Sequence, residues 1–361
     1  IESAALDDDA SGGAGSQEVS SMVILSNDVY LNKVGFALSP FRFKVRGYDN
    51  NYEEKYINGV PFNDQLRGQF SYSSIGALNN VTRNGDVNTY HNPSVFTFGT
   101  IGGSENINMR AGSYARGSQL RLTYTNRNYY ARGMFTYSTG LNDRGFAFTA
   151  SVGGRYSDEG NVSGTFYRNL AYMFGIEKQW ADRQHRIAVT TFGSPGQRGQ
   201  QSASFQEAYD LTGDNQYNPN WGWQNGKKRN SRMVTAFDPT LIVSHTWKIS
   251  DRATLNTGIG AHYSRYGSTA LNWYSMADVR PDYYRNMPSY YLYLLDENPD
   301  QYDQIMANYN EMKYRWENKY PDVTQVNWYS LYEANKYANE NGESAKVVLE
   351  ERRSDIAEVS F

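Results

Sequence analysis

Several stretches of this sequence alternate apolar with small or polar residues over about ten positions, and a period of two restricts them to long strands. From Phe146 to Tyr156 one face carries Phe146, Phe148, Ala150, Val152 and Tyr156, and the other Ala147, Thr149, Ser151, Gly153 and Arg155. In Leu170 to Trp180, the residues Leu170, Tyr172, Phe174, Ile176 and Trp180 oppose Gly175, Glu177 and Gln179. In Leu255 to Tyr263, the residues Leu255, Thr257, Ile259, Ala261 and Tyr263 oppose Asn256, Gly258, Gly260, His262 and Ser264. The same pattern predicts strands at Gln119–Thr125, Tyr130–Tyr137, Arg186–Phe192 and Thr240–Trp247, about seven in all. A soluble sandwich also alternates. Here the apolar faces end in Tyr, Phe or Trp and the second faces are small or polar, which fits a sheet with lipid outside and a wet or filled interior. The expected class is therefore mainly β, a transmembrane antiparallel β-barrel. Phe148, Val152, Phe174, Ile176, Leu241, Val243 and Ile259 should face lipid, and Thr149, Ser151, Gly175, Glu177, Ser244 and Gly260 the interior.

The connections support the same class. Asn126-Arg127-Asn128, Asp182-Arg183-Gln184 and Ser250-Asp251-Arg252 read as tight polar reversals, while 193–232 and 267–346 are long. Short turns at one end and long loops at the other orient an outer-membrane barrel, with the long loops outside the cell. Within the longest loop, the aromatic and apolar residues of Pro299–Tyr320 and Trp328–Tyr337 recur at helical spacing, predicting small helices. Glu350-Glu351 before Arg352-Arg353 reads as a salt-bridged loop.

Composition excludes some alternatives. No run of 18 apolar residues is present, so no spanning helix is expected. Aromatics reach 15%, with 31 Tyr, which suits interfacial girdles better than a cytosolic enzyme. A net charge of −3 indicates no nucleic-acid surface, and zero Cys rules out disulfides and thiolate metal sites. His91, His185, His245 and His262 are scattered; no HExxH, P-loop or Ser-His-Asp order is present. No enzyme activity, metal or cofactor is expected. The acidic and Gly/Ser-rich start, Asp7-Asp8-Asp9 and then Ser11 to Ser16, reads as a flexible, solvated segment.

From about Val19 to Arg110 the pattern is compact α/β. Val23-Ile24-Leu25 and Phe41-Arg42-Phe43-Lys44-Val45-Arg46-Gly47-Tyr48 read as strands, and Tyr56-Ile57-Asn58-Gly59-Val60-Pro61 as strand, Asn-Gly turn and exit. Ile75–Val81 is expected as a short helix and Ile107–Arg110 as a closing strand. Gly47, Gly59, Gly102 and Gly103 should serve turns and close backbone approach.

The Arg-Gly strand at 41–48, the Asn-Gly-Val-Pro hairpin at 56–64, Asn79-Asn80-Val81-Thr82-Arg83-Asn84 and Thr100-Ile101-Gly102-Gly103-Ser104-Glu105-Asn106-Ile107-Asn108 together resemble the plug of TonB-dependent outer-membrane receptors, in the family's order. They cover about a quarter of the chain, and alternating strands follow them. The resemblance implies a plug domain at 1–116 with motif residues Arg42, Arg46, Gly47, Asn58, Gly59, Val60, Pro61, Gly102 and Gly103. It implies the first part of a barrel at 117–361, in the outer membrane of a Gram-negative bacterium. Its partners would be the inner-membrane TonB complex, outer-membrane lipids and the remaining barrel strands, and it admits a surface lipoprotein. The implied function is active import of a nutrient (a glycan, peptide or chelate); a passive porin or surface-binding barrel is the alternative, and porins lack such a plug. A small complete barrel enzyme is a third reading, disfavoured because no catalytic set appears. No TonB box is recognisable, and a full barrel of this kind has about 22 strands, so the chain is expected to be a piece of a longer one that cannot close a barrel alone.

Arg42, Arg46, Arg67 and Arg83 are expected to pair with carboxylates between plug and wall. Trp221, Trp223, Trp273, Tyr283, Tyr284, Tyr290 and Tyr291 are the candidate ligand residues, offering flat faces to a sugar ring or a partner. The competing reading is that they build the core of the long loops.

Overall fold

The computed structural model describes residues 48, 50–65, 68, 70, 72–88, 93–125 and 128–361. Val23-Ile24-Leu25, the strand at Phe41–Tyr48 apart from Tyr48, Arg42, Arg46, Gly47, Arg67 and His91 lie outside them, as does the acidic start.

Four short strands make a small mixed sheet: β1 (Glu54–Ile57), β2 (Val60–Pro61), β3 (Gly85–Asn88) and β4 (Ser104–Ile107), in the order β2-β1-β4-β3. β1 and β4 run parallel and the outer pairs antiparallel. Asn58 and Gly59 turn the β1–β2 hairpin with φ of 54° and 85°, the doubly left-handed geometry that favours Asn-Gly. The Gly59 amide donates to Asn106 Oδ1 at 2.9 Å, tying the turn to β4. Gly102 sits so close to the backbone of Tyr52 and Glu53 that a Cβ would collide with main-chain atoms. The expected helix at Ile75–Val81 is instead a 3-10 turn at Tyr72–Ile75 followed by irregular turns, with Ile75, Leu78 and Val81 buried. The closing strand is β4, three residues earlier than Ile107–Arg110 suggested.

One ionic group is sealed inside this unit. Lys55 Nζ lies 2.6 Å from Glu105 and 2.6 Å from Glu53, and the Lys55 side chain is 1% exposed. Burial alone would lower the Lys55 pKa; the two carboxylates outweigh it and hold the ammonium above its ordinary value.

From Gly117 onward the chain forms a ten-stranded antiparallel sheet. Its strands are β5 (Gly117–Tyr124), β6 (Ala131–Ser138), β7 (Phe146–Ser157), β8 (Tyr167–Trp180), β9 (His185–Gly193), β10 (Gly196–Gly199), β13 (Met233–Phe237), β14 (Thr240–Ser250), β15 (Ala253–Trp273) and β16 (Val347–Ser360); β11 (Trp221–Gln224) and β12 (Lys227–Asn230) form a separate hairpin. β9 and β10 are one strand broken at Ser194-Pro195, and β13 and β14 one broken at Asp238-Pro239, because proline has no N–H for the ladder. Pairing resumes through the proline carbonyls, which accept from Leu170 N at 3.0 Å and Tyr263 N at 3.1 Å. Eight long antiparallel strands result, each beside its sequence neighbour. The eighth, β16, includes Glu350–Arg353, expected from sequence as a loop; Glu350 accepts from Tyr274 and Asn272, and Arg353 pairs with Asp355 at 2.7 Å. β15 runs ten residues beyond Tyr263, so the longest connection begins at 274 rather than 267.

The connections at 139–145, 181–184 and 251–252 lie at one end of the sheet, and those at 125–130, 158–166, 200–232 and 274–346 at the other. Strand parity places the junction of β5 and β6 at the long-loop end; Asn126 and Arg127 of the reversal, expected among the short turns, lie outside the described residues. No helix of the described residues is long and apolar enough to cross a membrane.

The two faces of the sheet differ in chemistry. Phe148, Val152, Phe174, Ile176, Leu241, Val243 and Ile259 are exposed on one; Thr149, Ser151, Gly175, Glu177, Ser244 and Gly260 are buried on the other. The buried face packs on the small unit. Their joint core holds Ile57, Val60, Ile75, Leu78, Val81, Ile107 and Met109 from the unit, with Ala171, Met173, Phe192 and Ile242 from the sheet.

Replacing Lys55 with Met leaves Glu53 and Glu105 buried without their cation. The expected loss is about 3–5 kcal/mol, partly restored by adding Glu105→Gln. Denaturant midpoints of the two variants measure it, and equal midpoints would show that the ion cluster does not hold the unit.

Candidate functional site

Two places concentrate polar and aromatic side chains: the contact between the small unit and the inner face of the sheet, and the long-loop end.

The inner contact is built from the Asn58 turn and the segment after β4. Asn58 Nδ2 donates to Thr190 Oγ1 on β9 at 3.2 Å, while Asn58 Oδ1 accepts from Met109 N at 2.8 Å. Arg110 Nη2 donates to the Asn58 carbonyl at 2.8 Å, and Arg110 Nε to Ser244 Oγ on β14 at 3.3 Å. Gly112 N donates to Glu177 on β8 at 2.8 Å, Thr149 Oγ1 on β7 to Ala111 O at 3.1 Å, and Ser194 Oγ to Gly76 O at 2.8 Å. Beyond these, Asn80 reaches Thr136 on β6, and the Gln65 amide reaches Glu358 on β16. The unit thus touches strands from β6 to β16. Neighbouring strands are about 4.8 Å apart, so a flat sheet of this width could not meet one small body along its whole span; the sheet curves around it. Glycines on the inner face let the unit approach: a Cβ at Gly258 or Gly260 would fall 2.6 or 2.9 Å from Val60, and one at Gly175 3.4 Å from Ala111.

Burial pushes the Arg110 guanidinium down to about 10, and nearby Arg186 adds to the fall; Glu177 opposes it. Tyr114, buried beside the contact, is raised by burial, and its hydroxyl donates to Val81 O at 2.6 Å.

Of the sequence-predicted motif residues, Asn58 and Val60 lie in this contact, while Gly59 is exposed in the turn and bonds within the unit, to Asn106. Pro61 is exposed at the end of β2, and Gly102 and Gly103 shape the turn before β4. Arg83 is exposed on the small unit. Among the described residues, Arg110 reaches the sheet through Ser244, a contact that sequence reading missed. Glu177 carried a readable signal: it is the sole carboxylate in its strand and sits on the small, polar face.

At the other end the two longest connections fold together. They contain α1 (Gln206–Thr212), α2 (Pro288–Glu297), α3 (Tyr302–Glu317), α4 (Pro321–Thr324) and α5 (Trp328–Glu340). Trp316 is fully buried and donates its indole N–H to Asn286 O at 3.0 Å; Tyr217 packs edge-on at 5.7 Å and donates to Thr324 O. Burial, reinforced by Asp282, raises the Tyr217 pKa. A second cluster joins Val326, Trp328, Leu331 and Val347 to Leu271, Trp273 and Val279.

The seven candidate aromatics occupy three places: Trp221 and Trp223, whose rings meet edge-on at 6.1 Å, Trp273, and the tyrosines of 283–291. Trp221 is 8% exposed, anchored by the Val326 amide on its carbonyl at 2.9 Å, and Trp273 belongs to the second cluster. These two build the cap. Trp223 is 50% exposed, with the Lys228 ammonium over it at 5.6 Å. Tyr283, Tyr284, Tyr290 and Tyr291 form an edge-to-face series with centroids 4.7, 5.7 and 6.1 Å apart, and Arg285 lies over Tyr284 and Tyr290. The Arg285 hydrogen bond lowers the exposed Tyr284 hydroxyl. Of these seven, Trp223 and the tyrosine series present open aromatic surface.

His185 and His245, distant in sequence, are neighbours: Nδ1 and Nε2 lie 3.3 Å apart, and Trp180 and Trp247 flank the pair on the exposed face. Among the described residues no three His, Asp or Glu side chains gather as a metal site.

No family model matches this sequence, and no curated protein does. Among solved structures, the chain is similar to the ferric-catecholate import receptor Fiu from E. coli K12. Against the open form the TM-score is 0.42 at 14% identity, covering 63% of this chain and 34% of that one. Against the closed form the values are 0.42 and 14%, with 65% and 33% covered. The chain spans about a third of the length of the structures it matches.

Glu177→Ala removes the acceptor of the buried Gly112 amide. It is expected to weaken the contact by about 1–3 kcal/mol, seen as faster proteolysis of residues 50–115 while the sheet stays resistant. Unchanged cleavage rates would remove Glu177 from the contact.

Proposed function

We propose that this chain is the plug and the first part of the barrel of a TonB-dependent outer-membrane receptor, which imports a nutrient bound by its outer loops and plug. The observation that carries this reading is the inverted polarity of the large sheet: apolar side chains stand exposed on the convex face, and small or polar ones are buried against the unit on the concave face. In water such a face would be a liability; in hydrocarbon it is what a spanning sheet requires.

Dimensions agree. From Leu170 to Trp180, both on the exposed face of β8, ten residue steps give roughly 33 Å of strand, or roughly 25 Å once tilted by about 40°. That is the height of a barrel's apolar band. Tyr156 and Tyr263 mark its outer edge and Trp180 and Trp247 its inner edge, where amphipathic rings favour the interface. The short turns would then face the periplasm and the folded cap the outside.

The filled concave face favours gated transport over a standing pore, because the unit occupies the space that a passive channel would need. Under this reading, TonB acts on a segment preceding the unit, and import requires the contact at Asn58, Arg110 and Glu177 to yield. The outer edges of β5 and β16 are unpaired among the described residues. Unsatisfied backbone groups in lipid each cost several kcal/mol, so further strands must complete the barrel. Open aromatic surface at Trp223 and around Tyr284 and Tyr290 is where the ligand would first meet the protein. A glycan, a peptide and a chelate all remain compatible with those faces.

Two measurements test the reading. Ile176→Arg or Val243→Arg is expected to reduce folding into bilayers by about 2–4 kcal/mol, and Ser244→Arg by less; equal effects would refute the lipid-facing assignment. Cysteines at Asn58 and Thr190 should, once oxidised, tether unit to wall and stop energy-dependent uptake by cells bearing the complete receptor, with recovery on reduction. Full uptake through the tethered protein would show that the unit does not gate the path.

A further inference from the structure

At the short-turn end, the inner face holds a recess of about 240 Å³ lined by Gln179, Arg183, Gln184, Arg186, Thr246, Lys248 and Thr254. Strand parity explains the gathering. Gln179, Arg186, Thr246, Lys248 and Thr254 all occupy inward positions of β8, β9, β14 and β15, in register through the pairs Gln179↔Arg186, Arg186↔Thr246 and Lys248↔Thr254. Arg183 comes from the turn closing β8 onto β9. Ala181, Asp182 and Arg183 all have positive φ (50°, 51° and 69°), a run of left-handed residues that only a well-held turn tolerates. The turn is held: Gln184 N donates to Ala181 O at 2.9 Å, and Lys248 N to Gln184 O at 2.8 Å.

Three cations therefore share one concavity with amide and hydroxyl groups. Among the described residues, protein anions neutralise them poorly. Asp251 pairs with Lys248 at 2.9 Å but is almost fully exposed. Glu177, an inward carboxylate on β8, is engaged by Gly112 N and by Gln179 Nε2 at 2.8 Å each. Arg186 makes one long bond, Nη2 to Thr246 Oγ1 at 3.4 Å, and its Nε is buried without a partner. Arg110 faces the same side and is itself perturbed by the Arg186 charge. A guanidinium with a buried unsatisfied Nε, beside a second guanidinium and an ammonium, forms an arrangement that a phosphate or carboxylate completes by charge-assisted bonds.

We propose that this recess is an oxyanion-binding site, taking a phosphate or carboxylate group of a small solute at the short-turn mouth of the sheet. Arg186 supplies the buried donors, Arg183 and Lys248 close over the anion from the turn and from β14, and Gln179, Thr246 and Thr254 offer neutral hydrogen bonds. The site goes beyond the import reading and does not depend on it, since it needs only the observed strand register.

The test uses the full polypeptide that carries this chain, folded in detergent micelles, with inorganic phosphate and acetate as separate probes followed by calorimetric titration. Saturable binding that weakens with added salt is expected for at least one probe. Phosphate alone would assign a phosphate ester as the ligand class, and acetate as well would extend it to carboxylates. Arg186→Gln should weaken binding by about tenfold or more. Arg183→Gln and Lys248→Gln, both at exposed positions where folding is not at stake, should each weaken it measurably. No saturable binding of either probe, or affinity unchanged in the Arg183 and Lys248 variants, would overturn the site.

Discussion

A pleated strand sends successive side chains to opposite faces, and most of this structure follows from what each face of the long sheet meets. The face with Phe148, Phe174, Ile176 and Val243 meets no other part of the described chain. The face with Thr149, Gly175, Glu177 and Ser244 meets a folded body and must satisfy that body's polar groups. Asn58, Arg110 and Gly112 therefore find acceptors or donors on three different strands. Hydroxyl, glycine and one carboxylate are what such a wall needs: small enough to admit backbone at close range, polar enough to replace the water displaced. The same register that buries Glu177 gathers Arg186 and Lys248 farther down, where no part of the described small unit covers them.

The long strands were legible because strict alternation over ten residues suits a strand with two unlike faces and fits neither a helix nor a loop. Predicted strands such as Leu170–Trp180 and Arg186–Phe192 fall within one to three residues of β8 and β9. What escaped was any strand whose outer half leaves the apolar band. β16 carries Glu350, Glu351, Arg352, Arg353 and Asp355, and β15 extends through Arg265 to Trp273. There the strands pair with each other, with charges such as Arg265 and Asp355 opposite one another, and the hydrophobic signal that announces a strand is gone. Backbone pairing continues where the period-two signal does not, because hydrogen-bond geometry does not depend on side-chain polarity.

Site residues were legible only where backbone geometry demanded one residue type. Asn58-Gly59 announces a tight hairpin on steric grounds alone, and Gly102 marks a close approach. Arg110 and Lys55 carry no such mark. An arginine after Ile-Asn-Met and a lysine after two glutamates look solvated in one dimension, and their burial is decided by partners 134 and 50 positions away in the chain. The His185–His245 pair was missed for the same reason: strand register, not sequence spacing, brings them together. The candidate aromatics show the converse. A cluster of Trp and Tyr in a long loop says that something large is covered, but not whether by the loop itself or by a ligand.

That ambiguity resolves by position. Trp316 and Trp221 are placed where the connections 200–232 and 274–346 meet, while Trp273 and Trp328 lie in a core drawn from residues between 271 and 347. Gly222 admits the Val326 backbone, and Gly164 the Trp221 ring, so the two connections and the 158–166 reversal interlock. In a cap built this way, aromatic surface stays open at residues left over from its construction. Trp223 and the Tyr284–Tyr290 series are such residues: each is held by a neighbouring cation, Lys228 or Arg285, yet keeps one face open. Side chains already ordered before a ligand arrives lose little further entropy on binding, so under the proposed import reading these open rings, rather than the larger buried ones, would be the part of the cap that meets a ligand.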